Sequence, residues 1–401
     1  MPGLLLALAL LPLAAADGGA AHGDFDRFLA AYRAADAAAR GELARSFVER
    51  QRERGGFPIV EPGGQVVFLY VGAGGERAVH LLGDFATRSP QDMYWDAEGE
   101  PMTRAAPDGG LFFARRQLEE DARIEYQFLV DGERRTDALN PRTAPSGIAR
   151  IGALETVSAF VMPGYPARPE LAPRQGVARG EVRILDAVWA DPAVAIYLPA
   201  SYDAAKRYPV LYTADGSAWR ELIGLPAILD NLIADGRIEP LVAVMIDAAE
   251  ERQRWYTFNP DYLAYLERVV AFVDDHHATD PRPERRLHAG TSAGGRAALY
   301  AGFERPHLFG NLALLSPALS GPPSYWQPWF SGARRPEPRL RVWLSAGSYE
   351  GTLREDARTM ATYFRKAGVE TKAVFTHEGH TFGAWRNLVP AMLEHFFPGS
   401  P

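Results

Sequence analysis

The chain predicts an α/β fold, a mostly parallel sheet flanked by helices, preceded by a small all-β sandwich. Three observations carry this reading. From Val182 onward strand-like and helix-like segments alternate, the signature of a parallel sheet covered by helices. From Pro58 to about Phe160 the texture is instead short β-runs separated by turn residues. Finally, Gly290-Thr291-Ser292-Ala293-Gly294 falls between a short apolar strand and a small-residue helix, so the chain must reverse there within a few residues.

At 401 residues the chain exceeds one ordinary core, and 47% hydrophobic and 11% aromatic residues are ample for packed interiors. A net charge of −7 argues against a nucleic-acid partner, which would need a basic face. The absence of cysteine excludes thiol catalysis, zinc–thiolate sites and disulfides. Leu4 to Ala16 form a short apolar run ending in Ala14-Ala15-Ala16 before Asp17, although no Lys or Arg precedes it. Residues 1–16 are therefore expected to be a signal peptide for export to the periplasm or beyond. No later stretch is apolar and long enough to span a bilayer.

Asp24 to Arg54 form an N-terminal helical segment (24–54), with Phe25, Phe28, Leu29, Tyr32, Leu43, Phe47 and Val48 on one face and Gly55-Gly56 as its stop. The sandwich is assigned to 55–160, with strands at Val66–Tyr70, Ala78–Leu82, Leu111–Phe113 and Ile124–Leu129. Asp108-Gly109-Gly110 and Asp131-Gly132 supply tight turns. Pro163, Pro166, Pro169 and Pro173 mark a stiff linker over 161–175. In the catalytic domain, 176–401, strands are expected at Val194–Leu198, Val210–Tyr212, Leu241–Ile246, Leu287–Ala289, Leu312–Leu315, Val342–Leu344 and Lys372–Phe375. Helices are expected at Ile223–Ala234, Asp261–His276, Arg296–Phe303, Leu353–Lys366 and Trp385–Phe397. Catalytic groups on such sheets lie in loops at the carboxyl ends of the strands.

The Gly290–Gly294 segment has the G-x-S-x-G form of a nucleophile elbow, which makes Ser292 the candidate nucleophile of an α/β-hydrolase fold. Its glycines suit a turn too tight for side chains, and the helix that follows favours negative charge at its start. In this fold the order is Ser, acid, His. His380, just past a strand and before the last helix, is preferred as base over His377, and His395 is read as structural. Glu350, in the loop after Val342–Ser345, is the candidate acid, ahead of Glu355 and Asp356 on the next helix. Ala293 is expected to supply one oxyanion amide and Gly216 or Ser217 the other, the glycine allowing the backbone close to substrate. Asp215 precedes the serine and is expected to brace its loop by accepting backbone hydrogen bonds.

These residues resemble the enterochelin (siderophore) esterase-like branch of the α/β hydrolases, also called the esterase D family. The resemblance covers Gly176 to Phe397. It rests on Tyr197-Leu198-Pro199-Ala200-Ser201-Tyr202-Asp203, on Tyr208–Tyr212 running into Asp215-Gly216, and on Ile246-Asp247. It continues through Ala289–Gly295 with Ala298-Leu299-Tyr300, and through Gly379-His380 followed by Trp385. Farther forward, His80–Phe85, Tyr126–Gly132 and Asp137–Pro141 resemble the early-set, isoamylase-N-like sandwich that precedes many siderophore esterases. Sugar-binding versions often carry a tryptophan after the Gly-Asp-Phe turn. Ala86–Pro90 has none, although Tyr94 and Trp95 are near, so the sandwich is read as a packing and access-shaping domain. The family commonly has Arg, then Glu three residues on, after Ile246-Asp247; here Arg252-Gln253-Arg254-Trp255-Tyr256 places Trp at that Glu. Arg252, Arg254 and Tyr256, with Trp219, are the candidate substrate contacts for an acidic or aryl group such as a catecholate. Trp326, Trp329 and Trp385 are further aromatic candidates.

The resemblance implies hydrolysis of a catecholate-siderophore ester by acyl transfer, with no metal or organic cofactor and a small-molecule ester as partner. The alternatives are a feruloyl or acetyl-xylan type carbohydrate esterase and a non-catalytic binding protein on a hydrolase scaffold.

Overall fold

A computed structural model describes residues 23–86, 99–145, 156–185, 192–319 and 340–399. The signal-peptide segment, Tyr94, Trp95, Trp326 and Trp329 lie outside the described residues. The helical segment is two helices, α1 (Asp24–Ala34) and α2 (Ala37–Arg54). The break has a local cause: Ala35 is extended and Asp36 caps α2, its carboxylate accepting the Ala39 N–H at 2.9 Å. Phe25, Phe28, Tyr32, Phe47 and Val48 are buried against Val67, Leu69 and Leu111, so the hairpin covers one face of the sandwich.

The sandwich strands are β1 (Ile59–Val60), β2 (Gln65–Val71), β3 (Val79–Gly83), β4 (Glu100–Pro101), β5 (Thr103–Arg104), β6 (Leu111–Gln117), β7 (Arg123–Val130), β8 (Glu133–Arg135), β9 (Thr143–Pro145) and β10 (Thr156–Val161). One sheet runs β1-β2-β6-β5 and the other β4-β3-β7-β10-β9, with β8 on β7. Phe68, Phe112, Tyr126 and Phe128 fill the space between them. The proline-rich linker is packed rather than free. Its Gly164 N–H donates to Glu120 O, and Glu170 is 4% exposed.

The C-terminal sheet contains β11 (Glu181–Ile184), β12 (Val194–Leu198), β13 (Val210–Ala214), β14 (Val242–Ile246), β15 (Arg286–Thr291), β16 (Asn311–Leu315), β17 (Arg341–Gly347) and β18 (Glu370–Thr376). Their order is β11-β12-β14-β13-β15-β16-β17-β18. Pairing is antiparallel at β11–β12 and β12–β14 and parallel from β14 to β18. Strands β12 to β16 are buried along their whole length, which is why β12, β13, β14 and β16 read as largely apolar runs, whereas β15 buries Arg286, His288 and Thr291 among its residues. The principal covering helices are α3 (Leu225–Ala234), α4 (Pro260–His276), α5 (Ala293–Glu304), α6 (Leu353–Lys366) and α7 (Phe382–Phe396). Separate apolar clusters fill the two faces, one with α4, α5 and α6, the other with α3 and α7. No helix among the described residues is long and apolar enough to cross a membrane.

Candidate active site

Between β15 and α5 the chain turns at Ser292, whose φ of 54° and ψ of −119° place a non-glycine residue in a strained region. The glycines around it answer to close contact, with backbone at Gly290 and with the Asp215 and Ala214 side chains at Gly294. A Cβ on Gly290 would lie 2.2 Å from the Gly294 carbonyl carbon, and one on Gly294 would lie 2.9 Å from Asp215 Oδ2. The strain is held by backbone bonds on both sides: Ser292 N–H donates to Leu315 O at 2.9 Å, and Ala318 N–H to Ser292 O at 2.8 Å.

His380 arrives in the loop between β18 and α7, where Thr381 caps α7. Its Nε2 is 2.9 Å from Ser292 Oγ. With the proton on Nδ1, Nε2 accepts from the serine hydroxyl. Glu350, 1% exposed in the loop after β17, brings Oε1 to 3.4 Å from His380 Nδ1. That spacing is longer than a hydrogen bond, and neither Nδ1 nor Glu350 Oε2 has another partner.

Two groups hold this carboxylate, and sequence reasoning assigned neither role. Ser316, at the carboxyl end of β16 with φ 45°, donates from Oγ to Glu350 Oε1 at 2.6 Å. Trp385 in turn donates from Nε1 to Ser316 Oγ at 2.9 Å, while its ring meets His380 edge-on at 4.8 Å. The only hint in the sequence was position, a polar residue ending an apolar strand beside β15. Glu355 and Asp356 sit in the first turn of α6, as expected. His377 instead faces Asp121, its Nδ1 2.6 Å from Oδ1, and His395 packs against Trp343. His288, below the elbow, is fully buried on Tyr262 and Tyr212, and desolvation pushes its pKa down to about 4.

Ala293 and Gly216 both open helical turns, so their amides have no acceptor within the turn. The Ser217 N–H is engaged with Asp247 Oδ1 at 2.6 Å, which leaves Gly216 as the better partner for Ala293. The need for glycine at 216 also differs from the expected one. A Cβ there would stand 2.4 Å from the Met245 carbonyl carbon, so close packing on β14 demands it.

Ser292 and His380 open into a cleft of about 880 Å³. Its walls include Leu222, Phe382 and Trp385, with Asp247, Glu250, Arg252 and Arg254 among the charged groups. Two expected substrate contacts are corrected here. Trp219 is wholly buried on the inner side of a π-helical turn (Trp219–Ile223), packed with Ile223 and Leu225 under the sheet. Tyr256 is 1% exposed, pinned edge-on against Tyr262, and its hydroxyl accepts the Asp215 N–H at 2.9 Å. Arg252 and Arg254 do line the cleft. Arg252, however, forms a bidentate pair with Asp215 at 2.6 and 2.7 Å, so that carboxylate braces the loop through an arginine rather than through backbone amides. Arg254 lies exposed at the rim beside Glu251. Four carboxylates and two guanidinium groups thus share the wall, a more acidic mouth than the two arginines alone suggested.

Sheet order, elbow and the Ser292–His380 contact define an α/β hydrolase. A model of the family described as "Putative esterase" matches residues 187–396, and the chain belongs to that family. It is 28% identical to the iron(III) enterobactin esterase of Escherichia coli O6:H1 over 210 residues, 49% of this chain and 48% of the relative. It is 24% identical to an endo-1,4-beta-xylanase/feruloyl esterase of Xylanibacter ruminicola over 218 residues, 50% of this chain and 29% of the relative. The chain spans about half the length, or less, of these curated relatives. Among solved structures, the enterobactin esterase of Shigella flexneri, crystallised in the presence of enterobactin, has a TM-score of 0.66 at 21% identity, covering 83% of this chain and 92% of that one. The ferric enterobactin esterase of Salmonella typhimurium gives 0.67 at 19%, covering 87% and 98%. These likenesses carry the fold.

Proposed function

We propose that the protein is a serine carboxylester hydrolase that opens catecholate-siderophore esters of the enterobactin type. The observation that carries the proposal is the contact of Ser292 Oγ with His380 Nε2 at 2.9 Å, with Glu350 behind the imidazole, at the floor of an open cleft. In the first step His380 takes the Ser292 proton as Oγ attacks the ester carbonyl, and the Ala293 and Gly216 amides hold the oxyanion. Collapse expels the alcohol, which receives the proton from His380. Water then attacks the acyl-enzyme with His380 again as base. Glu350 keeps the imidazole in the required tautomer and balances its charge. Phe382, with the buried Trp385 edge-on against it, offers a face for an aryl group, and Arg254 offers a cation at the rim.

The feruloyl-esterase relative supports a second reading, an aryl ester of a carbohydrate, and so does the engagement of Arg252 by Asp215. Purified mature protein, given a cyclic catecholate trilactone and a feruloylated or acetylated oligosaccharide side by side, decides by mass spectrometry of the products. Trilactone opening that vanishes in Ser292→Ala supports the first reading. Release of ferulate or acetate alone moves the protein to the carbohydrate esterases. No turnover of any of these esters by the parent protein rejects both and returns a non-catalytic role, whereas turnover unchanged in Ser292→Ala rejects the serine mechanism. Export is part of the proposal, resting on the Leu4–Ala16 segment; amino-terminal sequencing of the protein recovered from a periplasmic fraction checks it.

A further inference from the structure

His380 stands on a segment, residues 377–381, held both from the α/β unit and from the sandwich and linker. The backbone N–H of Arg123, on sandwich strand β7, donates to His377 O at 3.0 Å, and Tyr349 N–H donates to Glu378 O at 3.2 Å. Next to the histidine, the Glu378 carboxylate accepts from Tyr165 Oη at 3.2 Å and from Asn387 Nδ2 at 3.2 Å. Arg123 faces this carboxyl and is paired with Glu125 at 2.7 Å. Both members of that pair are buried, and Arg123 Nη1 has no hydrogen-bond partner. Taking a guanidinium out of water is costly, and here the Glu125 and Glu378 carboxyl groups are what offset it.

The two glycines flanking His380 show how close the sandwich comes. A Cβ on Gly379 would fall 2.2 Å from Asp84 Cγ, and Asp84 is itself fixed by accepting the Glu125 N–H at 2.7 Å. A Cβ on Gly383 would fall 2.0 Å from Arg123 Nη2 and 2.4 Å from Glu125 Oε1. The residues before and after the histidine are therefore seated on sandwich side chains, three of them charged, at a distance that admits no methyl group. A catalytic imidazole has to be held to about 0.5 Å, and these sandwich contacts add to the bonds that its own loop and the cap of α7 supply.

We propose that Arg123, with Glu125, is a positioning residue for His380, so that the β-sandwich is part of the hydrolytic machinery. The inference rests on the reading of His380 as general base. It concerns a part of the chain that lies outside the matched esterase region, residues 187–396.

The test uses the full chain and p-nitrophenyl acetate, a substrate too small to need the sandwich for binding. Arg123→Ala, verified as folded by circular dichroism, is expected to lower kcat about tenfold or more with KM changed less than about twofold. It should also shift the acid limb of the kcat/KM profile, which a purely structural loss would leave in place. Arg123→Lys should recover part of kcat, and Tyr165→Phe should show a smaller loss at unchanged melting temperature. A folded Arg123→Ala with the parent's kcat and pH profile overturns the proposal. If that variant does not fold, parental kcat in both Arg123→Lys and Tyr165→Phe overturns it instead. Ser292→Ala, run alongside, keeps the two readings apart, because turnover surviving in it sinks the serine mechanism whatever Arg123 does.

Discussion

Ser292 shows how much at this site is decided by single residues. Its positive φ is held by backbone bonds to Leu315 and Ala318, and the space for that turn exists because Gly290 has no side chain. Gly290→Ala would set a methyl against the Gly294 backbone, where nothing can give way. A loss of about 3 kcal/mol or failure to fold is expected, read from urea unfolding. Ser316 acts one residue farther from the chemistry. Ser316→Ala leaves Glu350 Oε1 without its donor in a buried site, and a kcat about tenfold lower at nearly unchanged KM is expected in steady-state kinetics on an aryl ester. Trp385→Phe keeps the ring against His380 but loses the N–H that orients Ser316, so its effect should fall between parent and Ser316→Ala.

At the scale of elements, the loop joining β18 to α7 carries a second titrating group, Glu378. Burial pushes its carboxyl from 4.5 up to about 7, opposed by Arg123 and by hydrogen bonds from Asn387 and Tyr165. Between those values the unfolded chain has released the proton while the folded one retains it. Stability is therefore highest below about pH 4.5 in this contribution and falls as pH rises through about 7, by on the order of 3 kcal/mol. Glu378→Gln should flatten that slope, measured as the difference in unfolding free energy between mildly acidic and mildly alkaline buffer. The elements also differ in how openly the sequence declares them. Strands β12, β13, β14 and β16 are buried on both faces and stand out as largely apolar runs, and the helix expected at Leu353–Lys366 coincides with α6. Strands β4, β5, β8 and β9 are two or three residues long, too short for any period to register. Strand β11 is exposed throughout and pairs only with β12, so no apolar pattern marks it.

On the scale of the whole molecule, the sandwich and the α/β unit share buried groups rather than a tether. Tyr349 of the α/β unit packs against the sandwich core, Tyr165 reaches Glu378, and Asn231 in α3 donates to Glu170 O and Ala172 O in the linker. A chain beginning at Gly176 would lose Tyr165 and Arg123 beside Glu378 and expose the surface around Gly379 and Gly383. It is expected to be insoluble or inactive toward p-nitrophenyl acetate, checked by expression beside the full chain. Soluble product with parental kcat would argue for an autonomous catalytic domain. The cleft is likewise a property of the whole: Arg252 and Asp215 lie 37 positions apart and neutralise each other only because β13 and β14 are neighbours.

The sequence by itself determined the fold class, the elbow at Ser292, the placement of His380 and Glu350 at strand ends, and the family. Those features are local or periodic: a five-residue turn too tight for side chains, and burial that leaves its period in the chain. Only the tertiary structure decided that Trp219 and Tyr256 are core residues, that Arg252 is already paired, that Ser316 and Trp385 hold the acid, and that Arg123 reaches the histidine loop. Each of these depends on contacts between residues from 34 to 260 positions apart or on which side of a helical turn faces the sheet. Such contacts follow from how strands are ordered and layers stacked, and no spacing along the chain encodes them.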